Sequence, residues 1–424
     1  MTSTPTRRHQ RLHEQILLSP LFALLLGVLF CVALPAWVIW GVRGLASPNP
    51  GQRYALLAAT VAYLISHRTL LSMFRYPGSR SAVHIVPQVL MVFGLITLGS
   101  LLLRQDMSRL LMVLSGLLSM VWCYMDSVMR GHFKRPKLAI VPFGRACELL
   151  GLDGIDSRPI EKPQLDDRRY DGIVADLDAI PNQHWERFLT QCALSRIPVY
   201  HARQMFESVT GRVRITHISE NHMGSLLPSP TYERIKYVFD LLIIVASLPI
   251  VLPVALVTAA LIRLESPGPA IFRQERIGQG NRPFMIYKFR SMIAEEGDDE
   301  ARFASENDQR VTRVGAVIRK LRIDEIPQFL NVLRGEMSLI GPRPEQREFV
   351  ECFDQEIPFY SYRHVVRPGI TGWAQVMQGY VASADATRLK IELDFYYIKH
   401  CSLALDILIV FRTLQTILTG FGAR

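Results

Sequence analysis

Asp324 and Glu325 stand side by side in the run Leu321-Arg322-Ile323-Asp324-Glu325-Ile326-Pro327-Gln328. Pro327 is tolerated in a first helical turn, which predicts the pair at or just before the start of a helix through Val332. The partial positive charge of a helix start keeps carboxylates ionised and also favours phosphate. One ionised carboxylate can attack phosphorus while its neighbour holds a divalent metal that neutralises the phosphate under attack. Carboxylates at helix starts ordinarily serve as caps, and a second pair, Asp299-Glu300, lies in an acidic stretch. The pair therefore takes its meaning from its surroundings.

Those surroundings are rich in arginine. Phe272-Arg273-Gln274-Glu275-Arg276-Ile277-Gly278 and Lys288-Phe289-Arg290-Ser291-Met292 alternate cations with glycine and aromatics on short strands and turns. Gly341-Pro342-Arg343-Pro344 and Arg367-Pro368-Gly369-Ile370-Thr371-Gly372-Trp373-Ala374-Gln375 read as rigid turns with fixed backbone donors, suited to a pyrophosphate. Arg273, Arg276, Lys288, Arg290, Arg343 and Arg367 are thus candidates to converge on phosphate oxygens. Taken singly, each reads as readily as a solvated or headgroup-facing residue. Asp394 joins Asp324 and Glu325 as a catalytic candidate, and residues 403–418 after it read as an amphipathic helix along a membrane surface.

The elements that must position these residues begin in a membrane. The chain has 424 residues, a net charge of +10, 20% charged and 49% hydrophobic residues, and a mean hydropathy of +0.17, which excludes disorder and fibrous repeats. Its six cysteines form no CxxC pair, so neither a zinc site nor a disulfide framework is expected. Residues 16–42 are uncharged over 27 positions where about 20 suffice to cross a bilayer. Residues 54–74, 85–103 and 110–125 read as three more spans, the first of them interrupted by His67 and Arg68. Ten Lys and Arg flank one side of these spans against four on the other, which predicts both ends of a four-helix bundle on the cytoplasmic face. The bundle reads as an anchor, because it carries no central charge to suggest an ion path.

Residues 137–228 change to soluble composition, and alternating strands and helices predict a small Rossmann-like or flavodoxin-like domain. Its first turn, Phe143-Gly144-Arg145-Ala146, has one glycine where a dinucleotide fingerprint needs three. Residues 241–262 are apolar and long enough to span, but Pro249 and Pro253 interrupt them and both flanks are basic. A re-entrant helix hairpin over 235–262, entering and leaving by the cytoplasmic face and tied at its kink by Ser247, satisfies both observations. An ordinary fifth span is the plainer alternative.

With Lys236-Tyr237-Val238-Phe239-Asp240 and Ser266-Pro267-Gly268-Pro269 added, the motifs over 230–424 resemble the monotopic polyprenyl-phosphate phosphoglycosyl transferases, or bacterial sugar transferases. Four spans and an α/β module ahead of the catalytic part resemble the large form of that family. The resemblance implies three domains, 1–136, 137–228 and 229–424, the last an α-rich catalytic domain. It implies transfer of a sugar 1-phosphate from a UDP-sugar to undecaprenyl phosphate, with magnesium, releasing UMP, in the first step of exopolysaccharide, capsule or O-antigen assembly. It makes Asp324 the nucleophile of an aspartyl phosphosugar and Glu325 a metal ligand. The expected location is the bacterial inner membrane, and the expected partners are membrane lipid and a second copy of the chain, with no nucleic acid. The sequence from Val376 to Tyr380 departs from the frequent Val-Asn-Gly-Arg, which leaves the sugar open with a lean to glucose or galactose. A transporter would explain only the apolar runs, and a nucleotide-sensing scaffold would leave Asp324, Glu325 and the arginine-rich turns without purpose.

Overall fold

The computed structural model describes residues 19–77, 82–133, 136–152, 154–165, 170–215, 227–293, 310–378 and 384–419. The pair Asp299-Glu300 and the residues Gly379 and Tyr380 lie outside them. The chain divides into two compact units, Met1–Gly211 and Arg212–Arg424.

In the first unit the four N-terminal apolar runs are helices: α1 (Pro20–Ala46), α2 (Pro50–Met73), α3 (Ile85–Leu102) and α4 (Arg109–Phe133). The Ser19 hydroxyl caps α1 by accepting from the Phe22 N–H at 3.1 Å. Pro35 lacks the N–H that would reach the Cys31 carbonyl, and α1 widens to a π turn over Leu29–Ala33. Ala58, Ala59, Ala62, Tyr63, Val89 and Phe93 fill the interior between helices. The Ala23 carbonyl accepts from the Trp122 indole at 3.2 Å and from the Tyr63 hydroxyl at 3.4 Å, tying α1 to α4 and α2. The outer faces stay apolar and exposed, which suits lipid and not water. With a fifth helix in the second unit, five among the described residues are long and apolar enough to cross a bilayer, and they mark a membrane protein.

The same unit holds a four-stranded parallel sheet of β1 (Lys137–Ile140), β2 (Asp156–Pro159), β3 (Gly172–Ala175) and β4 (Val199–His201), in the order β2-β1-β3-β4. Ala139, Ile173 and Ala175 pack on Trp185, Phe188 and Leu189 of α5 (Gln183–Leu194). Their neighbours Leu138, Ile140 and Val174 pack on Phe206 of α6 (Ala202–Thr210). Alternate residues thus feed two opposite layers, as the expected α/β fold requires. Strand β2 was not foreseen, because Asp156-Ser157-Arg158-Pro159 has no apolar alternation. In the turn after β1 the Arg145 N–H donates to Asp176 Oδ2 at 2.9 Å. A protein carboxylate thereby takes the place where a dinucleotide fold presents its turn to phosphate.

The second unit opens with α7 (Pro230–Glu265), assigned as one helix through Pro249 and Pro253, where the sequence suggests a broken hairpin. Only Asp240, Ile244, Thr258 and Ile262 of α7 are buried, and Ile250 between them is 74% exposed. The Ser247 hydroxyl donates to the Ile244 carbonyl at 2.8 Å, one residue short of Val245, whose usual donor Pro249 removes.

Strands β5 (Ile271–Ile277) and β6 (Pro283–Phe289) follow as an antiparallel hairpin, then α8 (Arg313–Lys320). A 3₁₀ turn over Ile323–Gln328 runs into α9 (Phe329–Leu333). Strand β7 (Ser338–Ile340) pairs in parallel with β8 (Gly369–Thr371), with α10 (Arg347–Glu356) and a 3₁₀ turn over Tyr360–Val365 between them. Three helices close the unit: α11 (Trp373–Gln378), α12 (Ala384–Lys399) and α13 (Leu403–Thr419).

The glycines of two motifs now have a reason. Gly341 and Gly369 bring two backbones so close that neither position has room for a Cβ. That approach aligns β7 with β8 and aims the turn after β7.

Candidate active site

The reacting segment is set against the β5–β6 hairpin by Asn331, which is fully buried. Its Oδ1 accepts from the Tyr287 N–H at 3.2 Å, while its Nδ2 donates to the Met285 carbonyl and to Glu336 Oε2, both at 2.7 Å. The amide thus bonds β6 as a further strand would, and fixes the turn carrying Asp324 to the strand carrying Lys288. Sequence reading passed over Asn331, since a polar residue in a short apolar helix gives no periodic signal. Replacing it with alanine leaves the Tyr287 N–H and Met285 carbonyl without their partner, and should cost about 3 kcal/mol. The expected outcome is a clearly lowered thermal midpoint; an unchanged one would show that the amide is not holding the segment.

The register of the hairpin decides which cations reach the carboxylates. Phe272 pairs with Lys288 and Arg276 with Phe284, so Lys288 and Arg276 share one face. Arg273 pairs with Tyr287 on the other face, where its guanidinium lies 5.6 Å from that ring. Glu325 is 5% exposed, and its Oε1 accepts from Arg343 Nη1 at 2.9 Å, with Arg322 Nη1 at 3.5 Å. Asp324 Oδ1 is buried and accepts no hydrogen bond from the protein. It is therefore the carboxylate oxygen left free to act.

Burial pushes the Asp324 carboxyl up to about 6, and the neighbouring Glu325 charge pushes the same way against Lys288, Arg343 and Arg322. Burial works to raise Glu325 as well, but Arg343, Lys288 and Arg322 outweigh it and hold that carboxyl below the usual range. Burial, aided by Arg343, lowers Lys288 to about 8 against the pull of Glu325. At neutral pH the pair is ionised and faces a cationic wall, an arrangement that binds phosphate and retains one unpartnered anionic oxygen.

Of the nine residues singled out by sequence, Asp324, Glu325, Lys288 and Arg343 form this cluster, with Arg276 at its edge, near Lys288 and 3.8 Å from Glu345. The other four stand elsewhere. Arg273 is on the far face of the hairpin. Arg290 donates from Nη1 to the Pro267 carbonyl at 2.8 Å and from Nη2 to the Ser266 carbonyl at 2.8 Å, so it latches the turn after α7. Arg367 stacks over Tyr237 of α7, 4.5 Å from its centroid. Asp394 is 1% exposed and accepts from Arg363 Nη2 at 2.8 Å, behind the site. Arg322, Glu345 and Arg363 are charged neighbours of the cluster that sequence reading missed. Glu345 is pushed up by burial, yet Lys390, Arg363 and Arg276 hold it down to about 2.

Comparison with known proteins identifies the family. A family described as bacterial sugar transferase matches residues 231–420. A UDP-N-acetylgalactosamine-undecaprenyl-phosphate N-acetylgalactosaminephosphotransferase of Aeromonas hydrophila is 50% identical over 99% of this chain and 99% of its own. UDP-glucose:undecaprenyl-phosphate glucose-1-phosphate transferases of Caulobacter vibrioides and Escherichia coli are each 42% identical over 47% of this chain, covering 76% and 45% of their own lengths. The likeness runs through the whole chain in the first case and includes the Asp324 cluster within the matched family region, so the chain belongs to the bacterial sugar transferase family.

Proposed function

We propose that this protein transfers a sugar 1-phosphate from a UDP-sugar to undecaprenyl phosphate, releasing UMP and starting assembly of a surface polysaccharide. The observation that carries the chemistry is the free Asp324 oxygen beside a Glu325 already held by Arg343. In the reading we favour, Asp324 attacks the β-phosphorus of the UDP-sugar, the bond from that phosphorus to the bridging oxygen breaks, and UMP leaves. The phosphosugar is then an acyl phosphate on Asp324. An oxygen of undecaprenyl phosphate attacks the same phosphorus, forming the lipid diphosphate sugar and returning Asp324 to its carboxylate. Lys288, Arg276 and Arg343 balance the charge on the equatorial oxygens throughout. Glu325 has oxygen donors of the kind magnesium takes, one of them held by Arg343, so it would hold the ion together with substrate phosphate. When bound, magnesium would neutralise the phosphate oxygens and ease attack by an anion.

The donor we favour is UDP-N-acetylgalactosamine, in place of the glucose or galactose toward which the sequence leans. The relative aligned over nearly all of both chains carries that sugar in its name, whereas the glucose-named relatives align with about half of this chain. Detergent-solubilised protein given magnesium, undecaprenyl phosphate and single UDP-sugars should release UMP fastest with UDP-N-acetylgalactosamine. Faster release with UDP-glucose would overturn the donor, and release with none would overturn the activity.

Helices α1 to α4 form the membrane bundle in this reading, in the bacterial inner membrane with both ends of the bundle on the cytoplasmic side. Residues 137–228 form a separate module, and 229–424 the catalytic domain. Helix α7 then enters and leaves by the cytoplasmic face. Ile244 packs with Ile286, and Ile262 with Phe289. Pro249 and Pro253 lie between the two isoleucines and each removes a helical donor, which favours a bend there. A cysteine introduced at Arg282 should resist membrane-impermeant labelling of intact cells. Efficient labelling there would make α7 an ordinary span.

A further inference from the structure

The turn that carries Arg343 has four successive carbonyls, each taken by a different donor. Pro342 O accepts from the Gly369 N–H at 2.9 Å, and Glu345 O from the Ile277 N–H at 3.0 Å. Arg343 O accepts from Arg363 Nη2 at 2.8 Å, and Pro344 O from Arg276 Nη1 at 3.4 Å. Two of the four residues are prolines with fixed φ and no N–H. Of the four donors, Arg363 alone holds the residue whose side chain reaches Glu325.

Arg363 is itself held from several sides. It is 2% exposed; Nη2 also donates to Asp394 Oδ2 at 2.8 Å, Nη1 donates to the Tyr360 hydroxyl at 3.0 Å, and Glu345 lies 3.9 Å away. A planar guanidinium can serve two oxygens from one nitrogen and a third from the other, whereas an ammonium of lysine cannot match that fork. Without Asp394 the buried cation would lose its closest counter-charge. Neither side chain is open to a substrate, so any part they play passes through another residue.

We propose that Arg363, with Asp394 as its counter-ion, is a positioning residue for the transfer reaction: it pins the Arg343 carbonyl so that the Arg343 guanidinium stays on Glu325. This rests on the reading of Asp324 and Glu325 as the reacting pair. Arg363 and Asp394 thereby act on turnover without touching UDP-sugar or lipid.

The test is a double-substitution cycle of Arg363→Lys and Arg343→Lys on the full chain, reading kcat and KM for UMP release, with a melting transition taken for each variant. Arg363→Lys alone should lower kcat by about 10-fold or more, on the scale that an ångström of misplacement costs. KM for the UDP-sugar should change little. In the Arg343→Lys background the same substitution should change kcat by no more than about twofold, the additivity error of independent sites. An equal loss in both backgrounds, or a raised KM at unchanged kcat, would overturn the proposal. If Arg363→Lys shows no cooperative melting, Asp394→Asn carries the same cycle, since it keeps the shape and removes the charge. Full turnover by Asp324→Asn would instead sink the underlying reading, and so separates the two failures.

Discussion

Asp324→Asn is expected to reduce UMP release by at least ~10⁴-fold, the scale on which loss of a reacting group is felt, while the protein still melts cooperatively. The amide keeps the shape of the carboxylate and removes the attacking charge. Because Asp324 Oδ1 accepts no hydrogen bond from the protein, the substitution breaks no contact at that oxygen. A two-step reaction makes a stronger demand than loss of rate. Intact mass measured after brief incubation with UDP-sugar and magnesium, without lipid, should show wild type heavier by one sugar phosphate and Asp324→Asn unchanged. A wild type that turns over fully yet never carries the adduct would leave Asp324 a base or an orienting group. A phosphate nucleophile is already ionised at neutral pH and needs little help from a base, which is why we favour the covalent route.

Lys288→Gln is the second large effect. Lys288 is half-buried beside the pair, and its charge lowers the pKa of both carboxylates. Without it, Asp324 keeps the burial and the Glu325 charge that already push its carboxyl upward, and loses a main cation opposing them. The phosphate also loses one of the three cations on its approach. By comparison with loss of a single preorganised donor in other enzymes, kcat/KM for UDP-sugar should fall about 10²- to 10³-fold. Lys288→Arg should recover part of it, since the face set by the hairpin register is retained. A loss smaller than tenfold for Lys288→Gln would place Lys288 outside the phosphate's reach.

The residues explain which parts of this were legible in advance. The four apolar runs became helices because apolar stretches of that length leave no other way to satisfy the backbone in a bilayer. Asp324 and Glu325 were found from local chemistry, and the structure places them on one short turn. Arg273 and Arg276 both looked like phosphate ligands, yet they are three residues apart on a strand and must face opposite ways. Only a register argument separates them. Arg290 lies just beyond the partner strand β6, and its partners are the carbonyls of Ser266 and Pro267, 24 and 23 residues upstream. Asp394 was picked as a reacting carboxylate because its partner was invisible: Arg363 lies 31 residues earlier, on a turn with no helical or strand period. Asn331 shows the same limit, since its partners on β6 are 44 and 46 residues away. The motif Gly-Pro-Arg-Pro read as a rigid turn for phosphate, and what the sequence did not show is that its glycine also serves a close backbone crossing and its arginine is held on Glu325.

Near its start α7 carries Lys236, whose ammonium donates to Asp406 Oδ2 at 2.8 Å, and Tyr232 and Tyr397 donate their hydroxyls to the same carboxylate. Asp406 sits on α13, the last helix, 170 residues downstream of Lys236. A nascent chain emerging at about 5–20 residues per second therefore presents α7 to the translocation machinery roughly 10–30 s before Asp406 exists to neutralise Lys236. During that interval the lysine lacks its closest counter-ion, and a positive charge at the mouth of an apolar segment is the kind of signal that retains a flank on the side where it was made. Once α13 arrives, the same lysine becomes a buried tie between the first and last helices of the catalytic unit. One residue would then serve insertion early and closure late, and ribosomes stalled before codon 406 should yield α7 already membrane-associated but the unit still open to protease.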